Sequence, residues 1–475
     1  MALWQTYEMV RAMRASRAGD LPDVVGGLSI DSRTVASGDA YFAIKGDVHD
    51  GHDFVTAALD TGAAFAVIAD SQRSRFGPDA RLLVVPDVLD GLRDLARAAR
   101  KRLRGHVIAV TGSVGKTSTK EMLRHVLAAQ GLTHASVASF NNHWGVPLSL
   151  ARCPADARFA VFEIGMNHAG EIEPLVKMVR PHVAIITTIE PVHLEFFSGI
   201  EAIADAKAEI FLGLEPDGAA ILNRDNSQFG RLARAAQAAG ARVVPFGTHE
   251  TATARLIDLA LHSTCSALHA DIIGHDITYK LGMPGRHQAM NSLAVLAAVS
   301  LAGGDLVRAA LSLSQIHAPA GRGVRHTLEV AGGTATLIDE SYNANPASMA
   351  AALSVLGAAA VEGGGRRIAV LGDMLELGPG GPDMHRALAK AVDDNRIDLV
   401  YCCGPLMQQL WNALPPDRRG AHAPNSAVLQ PQVLAAVRAG DALMVKGSLG
   451  SKMKPIVSAL EKRFVAQDAR DDAAT

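Results

Sequence analysis

No run of 18 consecutive apolar residues occurs in the 475-residue chain, and its first residues carry no basic segment leading into an apolar stretch. A membrane-spanning helix and a secretory leader are therefore not expected, and a soluble, cytosolic protein is. Charge of one sign is scarce too. The net charge is -2, so no overall basic field draws the chain to nucleic acid or to anionic lipid. The chain has four cysteines (Cys153, Cys265, Cys402 and Cys403) and no C-x-x-C pair, which points to reduced, buried thiols. The one arginine-rich stretch, "LRDLARAARKRLRG", has no aromatic residues interleaved with its cations. It reads as a helix whose arginines snorkel on a solvated face, not as a nucleic-acid patch.

What the chain has is apolar residues, at 48%, enough for about three cores at roughly 150 residues per domain. Short Val- and Ile-rich runs ("HVIAVTG", "FAVFEIG", "VAIITTI", "AAILN", "RRIAVLGD", "DLVYCCG", "ALMVKGS") alternate with amphipathic stretches. Continuous apolar strands between helices predict parallel sheets covered on both faces, hence an α/β fold. Three blocks are expected, covering 1–104, 105–315 and 316–465, with a polar, disordered tail over 466–475. Within the second block, "TATARLIDLALHSTCSALHADIIGHDITYKL" alternates as antiparallel strands do.

The most informative stretch is "VIAVTGSVGKTSTKEML", an apolar strand running into a glycine loop and then a helix. Backbone N–H groups and a helix N-terminus bind phosphate in this setting. Gly112 and Gly115 permit close approach, Lys116 neutralises terminal phosphates, and Thr117 offers a hydroxyl to Mg2+. Val110 stands where the usual first glycine of such loops would fall, and reads as the last buried residue of the strand. Glu163 ends a strand of the same sheet. A lone carboxylate in an apolar strand is costly to bury, so either a bound cation or a structural ion pair must accompany it. His193 follows another strand, with Glu190 and Glu195 as equal alternatives. Lys207, on the helical stretch "GIEAIADAKAEIFLGL", reads on pattern alone as a surface lysine.

The segments "TGSVGKTS", "NNHWGVPLSL", "FEIGMNHAGEI", "VHLEFF", "AKAEIF", "PGRHQAMNSLA", "AGRG", "DESYNANPASM", "LGDMLELG" and "VKGS" occur in the order and spacing of the Mur ligases. On these motifs the chain resembles that family over nearly its whole length. The resemblance implies three domains: an N-terminal nucleotide-sugar domain, a central ATP-binding P-loop domain, and a Rossmann-like C-terminal domain. It also implies ATP-driven amide ligation through an acyl phosphate, with ATP and two Mg2+ ions. "SYNANP" and "NNHWGVP" are similar to members that add D-alanyl-D-alanine to UDP-N-acetylmuramoyl-tripeptide. The D-N-P-R signature of diaminopimelate-adding members is absent. Another amino-acid-adding ligase, folylpolyglutamate synthetase included, is the alternative within the family. A P-loop GTPase is not favoured, because no Asn-Lys-x-Asp motif is present.

The resemblance also implies residue roles. Thr111, Gly112, Ser113, Val114, Gly115, Lys116, Thr117 and Ser118 would hold the ATP phosphates, Asn291 the adenine, and Asp339 the nucleotide. Arg322 would swing toward the γ-phosphate. Thr117 and Glu163 would hold one Mg2+ and His193 the second, with Lys207 carbamylated so that it presents an oxygen ligand. Ser32, Arg33, Lys45, Asp47 and His49 would contact the uridine diphosphate, and Asn141, Asn142, Asn167 and His168 the muramoyl peptide. Tyr342, Asn343 and Asn345, with Lys446 weaker, would line the dipeptide side. The chain departs from the family pattern at Gln288, Ala320 and Glu340, where Asn, Pro and Asp are usual. A cytosolic monomer is expected.

Overall fold

The computed structural model describes residues 2–137, 139–192 and 194–464. The alternation of apolar runs with helices yields three main sheets among these residues, of five, nine and six strands.

The central sheet is built around the strand His106–Thr111. Phe159–Glu163 pairs with it on one side and Val183–Ile186 on the other, both parallel. Successive side chains of these strands point to opposite faces. Val107, Ala109, Ala160, Phe162, Ala184 and Ile186 enter one core, while Ile108, Val110, Phe159, Val161, Val183 and Ile185 enter another. Both faces are covered, which is why the strands read as unbroken apolar runs, and each Val, Ile or Phe so buried contributes about 1.5–3 kcal/mol. The sheet ends in an antiparallel extension, Ala254–Leu261, Ser266–Ile272 and His275–Leu281. This is the segment whose alternation predicted it. The helix Arg286–Leu301 is apolar on nearly all sides and is accordingly buried against this sheet.

The N-terminal sheet divides its residues in the same way, with Phe65, Val67, Leu83 and Val85 on one face and Ala66, Ile68, Leu82 and Val84 on the other. The first of these faces shares a single core with the central sheet. Trp4, Met9, Leu92 and Leu95 belong to the same cluster as Phe162, Ile186 and Leu222.

The helix Val88–Arg102, capped by the Asp87 carboxylate on the Asp90 N–H at 2.8 Å, lies at this seam. Here the expectation of solvated arginines fails for two of them. Arg100 donates to the carbonyls of Val179 and Arg180 at 2.7 Å and pairs with Glu215 at 2.9 Å. Arg102 stacks over the Trp4 ring at 3.4 Å. The helix face that looked merely basic is the joint between two units, and sequence alone does not say what lies opposite it.

The C-terminal sheet, centred on Gly333–Glu340, Ala442–Lys446, Arg367–Gly372 and Leu399–Cys403, keeps two cores of its own. Cys402 and Cys403 sit in the last of these strands as free, buried thiols pointing to opposite cores. No helix among the described residues is long and apolar enough to cross a membrane.

His134 gives the fold a pH dependence. Its Nε2 donates to the Ser149 carbonyl at 2.7 Å, and burial pushes its pKa down to about 4. The unfolded chain binds this proton near pH 6.5, where the folded chain does not, so stability is complete above that pH and falls as the pH drops toward 4. The loss is expected to reach roughly 3 kcal/mol at most. Urea unfolding at pH 7 and pH 5 should show it, with a shallower pH dependence in His134→Asn.

Candidate active site

Parallel strands deliver the side chains that follow their carboxyl ends to one crevice. At the end of His106–Thr111 the chain turns through Gly112 (φ 144°) and Gly115 (φ 90°) into the helix Lys116–Ala128. Both glycines are required. A Cβ on Gly112 would lie 1.9 Å from Thr187 Oγ1, and one on Gly115 would lie 2.8 Å from Asn291 Nδ2. Lys116 folds back onto the loop, its Nζ donating to the Gly112 carbonyl at 2.7 Å.

Behind the loop, Glu163 is buried at the end of its strand. Its Oε2 accepts from the Thr117 hydroxyl at 2.9 Å, and its Oε1 accepts from the Asn141 amide at 2.8 Å. Lys120 lies 4.0 Å from Oε2, so the carboxylate also has the ion-pair partner that its burial called for.

These groups open onto a cavity of about 1000 Å³. Its walls include Ser113 to Ser118, Asn141, Glu163, Asn167 and Asn291 from the central unit, and Arg322, Tyr342, Asn343 and Asn345 from the C-terminal unit. The two sides touch. The Tyr342 hydroxyl donates to Ser139 Oγ at 2.8 Å, and the Arg322 guanidinium stacks over the Tyr342 ring at 4.1 Å. Asn345 is also a helix cap: its side chain accepts the Ser348 N–H while the Ser348 hydroxyl accepts the Asn345 N–H.

Burial lowers the Lys116 pKa; Glu163 opposes this shift and Arg322 adds to it, so the arginine's charge is felt at the loop. Lys207, expected on pattern to be a surface residue, is 1% exposed. Burial, with help from the Lys116 charge, holds its amine well below the usual lysine range. Glu190 lines the cavity and its carboxyl is raised by burial, against a hydrogen bond from Thr188.

Other candidate residues lie elsewhere. Asp339 is off the cavity wall and 1% exposed. Burial would raise its pKa, but hydrogen bonds from Ser341 and from Lys454 at 2.9 Å outweigh that and hold it low. Thr111 and Gly112 are interior to the strand and turn. Asn142 accepts the Gly145 N–H at 2.9 Å as a turn former, and His168 contacts Glu171 at 3.0 Å on the surface. In the N-terminal unit, Ser32 and Arg33 lie in the short helix Ser32–Thr34 and Lys45, Asp47 and His49 beyond the strand Asp39–Phe42; all are exposed or part-exposed, none is on the cavity wall, and Arg33 pairs with Asp31 at 2.7 Å. His193 lies outside the described residues.

Sequence reasoning missed Lys120, behind Glu163, as well as Asn223, Asp225, Thr248 and His262, which line the cavity. Asn223 ends the strand Ala219–Asn223, so the same rule that selected Glu163 could have found it.

The donor set fits the groups that the resemblance implies. Gln288 lines the cavity, and its buried side-chain oxygen has no hydrogen-bond partner among the described residues, leaving an acceptor for a ligand. Thr117 and Glu163 offer oxygen atoms, as a hard cation requires. No three His, Cys, Asp or Glu side chains are grouped as a cage among the described residues, but Mg2+ typically needs only one or two carboxylates beside water and phosphate oxygens.

A phosphate loop at the centre of a parallel sheet, faced by a second α/β unit across one cavity and joined to a third, defines a three-unit P-loop nucleotide-binding protein. Three family models match the chain: the Mur ligase family catalytic domain over 24–100, the Mur ligase middle domain over 110–299, and the Mur ligase glutamate ligase domain over 326–449. The chain belongs to the Mur ligase family. A UDP-N-acetylmuramoyl-tripeptide–D-alanyl-D-alanine ligase of Rickettsia prowazekii is 31% identical over 90% of this chain and 94% of its own. The Bacillus subtilis ligase of the same name is 32% identical over 92% and 93%. A crystal structure of MurF from Acinetobacter baumannii aligns with a TM-score of 0.82 at 28% identity, over 97% of this chain and 99% of that one. MurF from Thermotoga maritima, in complex with ADP, aligns at 0.75 and 26% identity over 92% and 98%.

Proposed function

We propose that the protein ligates D-alanyl-D-alanine to UDP-N-acetylmuramoyl-tripeptide at the expense of ATP, giving the pentapeptide precursor of peptidoglycan in the cytoplasm. The observation that carries this reading is the single cavity in which the loop residues and Glu163 face Arg322, Tyr342, Asn343 and Asn345. In this reading 1–104 carry the nucleotide sugar, 105–315 ATP, and 316–465 the dipeptide.

A carboxylate resists nucleophiles because of its charge. Transfer of the γ-phosphoryl group to the tripeptide carboxylate forms a C–O–P linkage, breaks the bond to ADP, and removes that charge. The dipeptide amine then attacks the acyl carbon, loses a proton, and expels phosphate. Lys116 and the loop N–H groups hold the β- and γ-phosphates, and Arg322 meets the charge that develops on the transferring group. Thr117 and Glu163 hold a Mg2+ ion, which when bound neutralises phosphate charge. Tyr342, bridging to Ser139, helps shut the cavity against water, which would hydrolyse the acyl phosphate.

Lys207 is carbamylated in this reading. A buried amine kept neutral can add to CO2, forming an N–C bond and losing a proton, and the resulting anion answers the Lys116 charge.

The test is phosphate release from ATP with Mg2+, the UDP-tripeptide and D-alanyl-D-alanine, omitting each in turn. Release is expected only with all present, alongside UDP-muramoyl-pentapeptide in the mass spectrum. Turnover with a different amino acid in place of an inert D-alanyl-D-alanine would overturn the acceptor and leave the ligase.

A further inference from the structure

We infer that Lys120 is a positioning residue that holds Glu163 in place, from the protein side, for a divalent cation. The inference rests on the proposed role of Glu163 as an ion ligand. Lys120 sits one turn beyond Lys116 and Thr117, so the three side chains share a helix face. Side chains on a helix lean toward its N-terminus, which sends the Lys120 ammonium back toward Thr117.

It is 0% exposed, among the most deeply buried charges of the described residues. Its Nζ donates to the Ser136 carbonyl at 2.8 Å, meets Glu121 Oε1 at 2.9 Å, and lies 4.0 Å from Glu163 Oε2. Ser136 ties the same two residues a second time, since its hydroxyl accepts the Glu163 N–H at 3.4 Å.

Anchoring the chain at Ser136 needs only a neutral donor. A full charge buried at this depth costs several kcal/mol unless anions offset it, and Glu121 and Glu163 are anions within its reach among the described residues. Glu121 is part-exposed and already has Arg124 at 2.7 Å. Glu163 is the fully buried anion of the two: Lys116 acts on it from the loop, Lys120 stands 4.0 Å behind it, and its oxygens face Thr117 and Asn141 at the cavity. From behind, the Lys120 charge and the Ser136 tie thus aim Glu163 without occupying its cavity side.

Groups of this kind behind a metal ligand typically change metal affinity 10- to 100-fold. The shared charge and the 4.0 Å separation place Lys120 at the low end. The experiment is a Mn2+ titration of the full chain at saturating ADP, followed by electron paramagnetic resonance, with ADP affinity measured separately in EDTA. Lys120→Gln keeps a donor for Ser136 but removes the charge. It is expected to weaken Mn2+ about tenfold and to leave metal-free ADP affinity within about twofold. Lys120→Arg is expected to hold Mn2+ within about threefold of the parent, and it carries the test if the Gln variant does not fold.

Unchanged Mn2+ affinity in folded Lys120→Gln, or a tenfold loss in folded Lys120→Arg, overturns the role of Lys120. Glu163→Gln is the reference. If it binds Mn2+ as well as the parent, the ligand assignment fails and the inference with it. If it binds weakly while Lys120→Gln does not, only the role of Lys120 is lost.

Discussion

Lys207→Ala is expected to lower ligation on the order of 10³-fold while leaving ADP affinity within about twofold of the parent. The expectation comes from an imbalance in the structure. Lys207 is 1% exposed, no hydrogen bond or ion pair joins its side chain to another described residue, and the charge that acts on it is the like charge of Lys116. As an ammonium it would be repelled, and as a free amine it would be an unpaired polar group in the interior. As a carbamate it is an anion opposite a cation. Alanine removes that anion without touching the loop that holds the phosphates, so chemistry and nucleotide binding should separate. Added formate or acetate is expected to restore part of the rate. Parental turnover in the variant, with no carboxylate added, would remove Lys207 from the mechanism.

Arg322→Ala is expected to reduce kcat by roughly 10² to 10³, with KM for ATP changed by no more than about threefold. Arginines that stabilise a transferring phosphoryl group act on the transition state more than on the ground state, which is why kcat carries the effect. The guanidinium is already aimed by its stack on Tyr342 and already felt at Lys116. Arg322→Lys should recover little, because a point charge reproduces neither the stack nor the planar fork. Steady-state kinetics with ATP as the varied substrate separates the two parameters. A rise in KM at unchanged kcat would place Arg322 in ground-state binding instead.

The strands and the loop were legible because their causes are local. An unbroken apolar run means two covered faces, and Gly-Lys-Thr after a strand means phosphate. The antiparallel extension was legible for the same reason, through its period of two. Lys120 and Lys207 were not, because a lysine on a helix reads identically whether its face meets water or a neighbouring strand. Arg100 was hidden in the same way: its partners, Val179, Arg180 and Glu215, lie 79 to 115 positions away in the chain. Asp339 shows the converse. It looked available for a ligand, but the fold commits it to Ser341 and Lys454.

The shared core beneath the helix Val88–Arg102 has a consequence for the order of events. Trp4 and Leu92 pack in the same cluster as Phe162 and Ile186, whereas the C-terminal sheet closes its own two cores and meets the others across the cavity. Mechanically the molecule is a fixed anvil and a separate hammer. In the proposed function the anvil carries ATP and the tripeptide, the two partners of the first chemical step, on one shared core. The hammer would bring the second nucleophile and, with it, Arg322. Because Arg322 rides on the hammer, the acyl phosphate would form only once the hammer already stands against the loop, so the reactive group is made with the second nucleophile's site in place and is not left waiting.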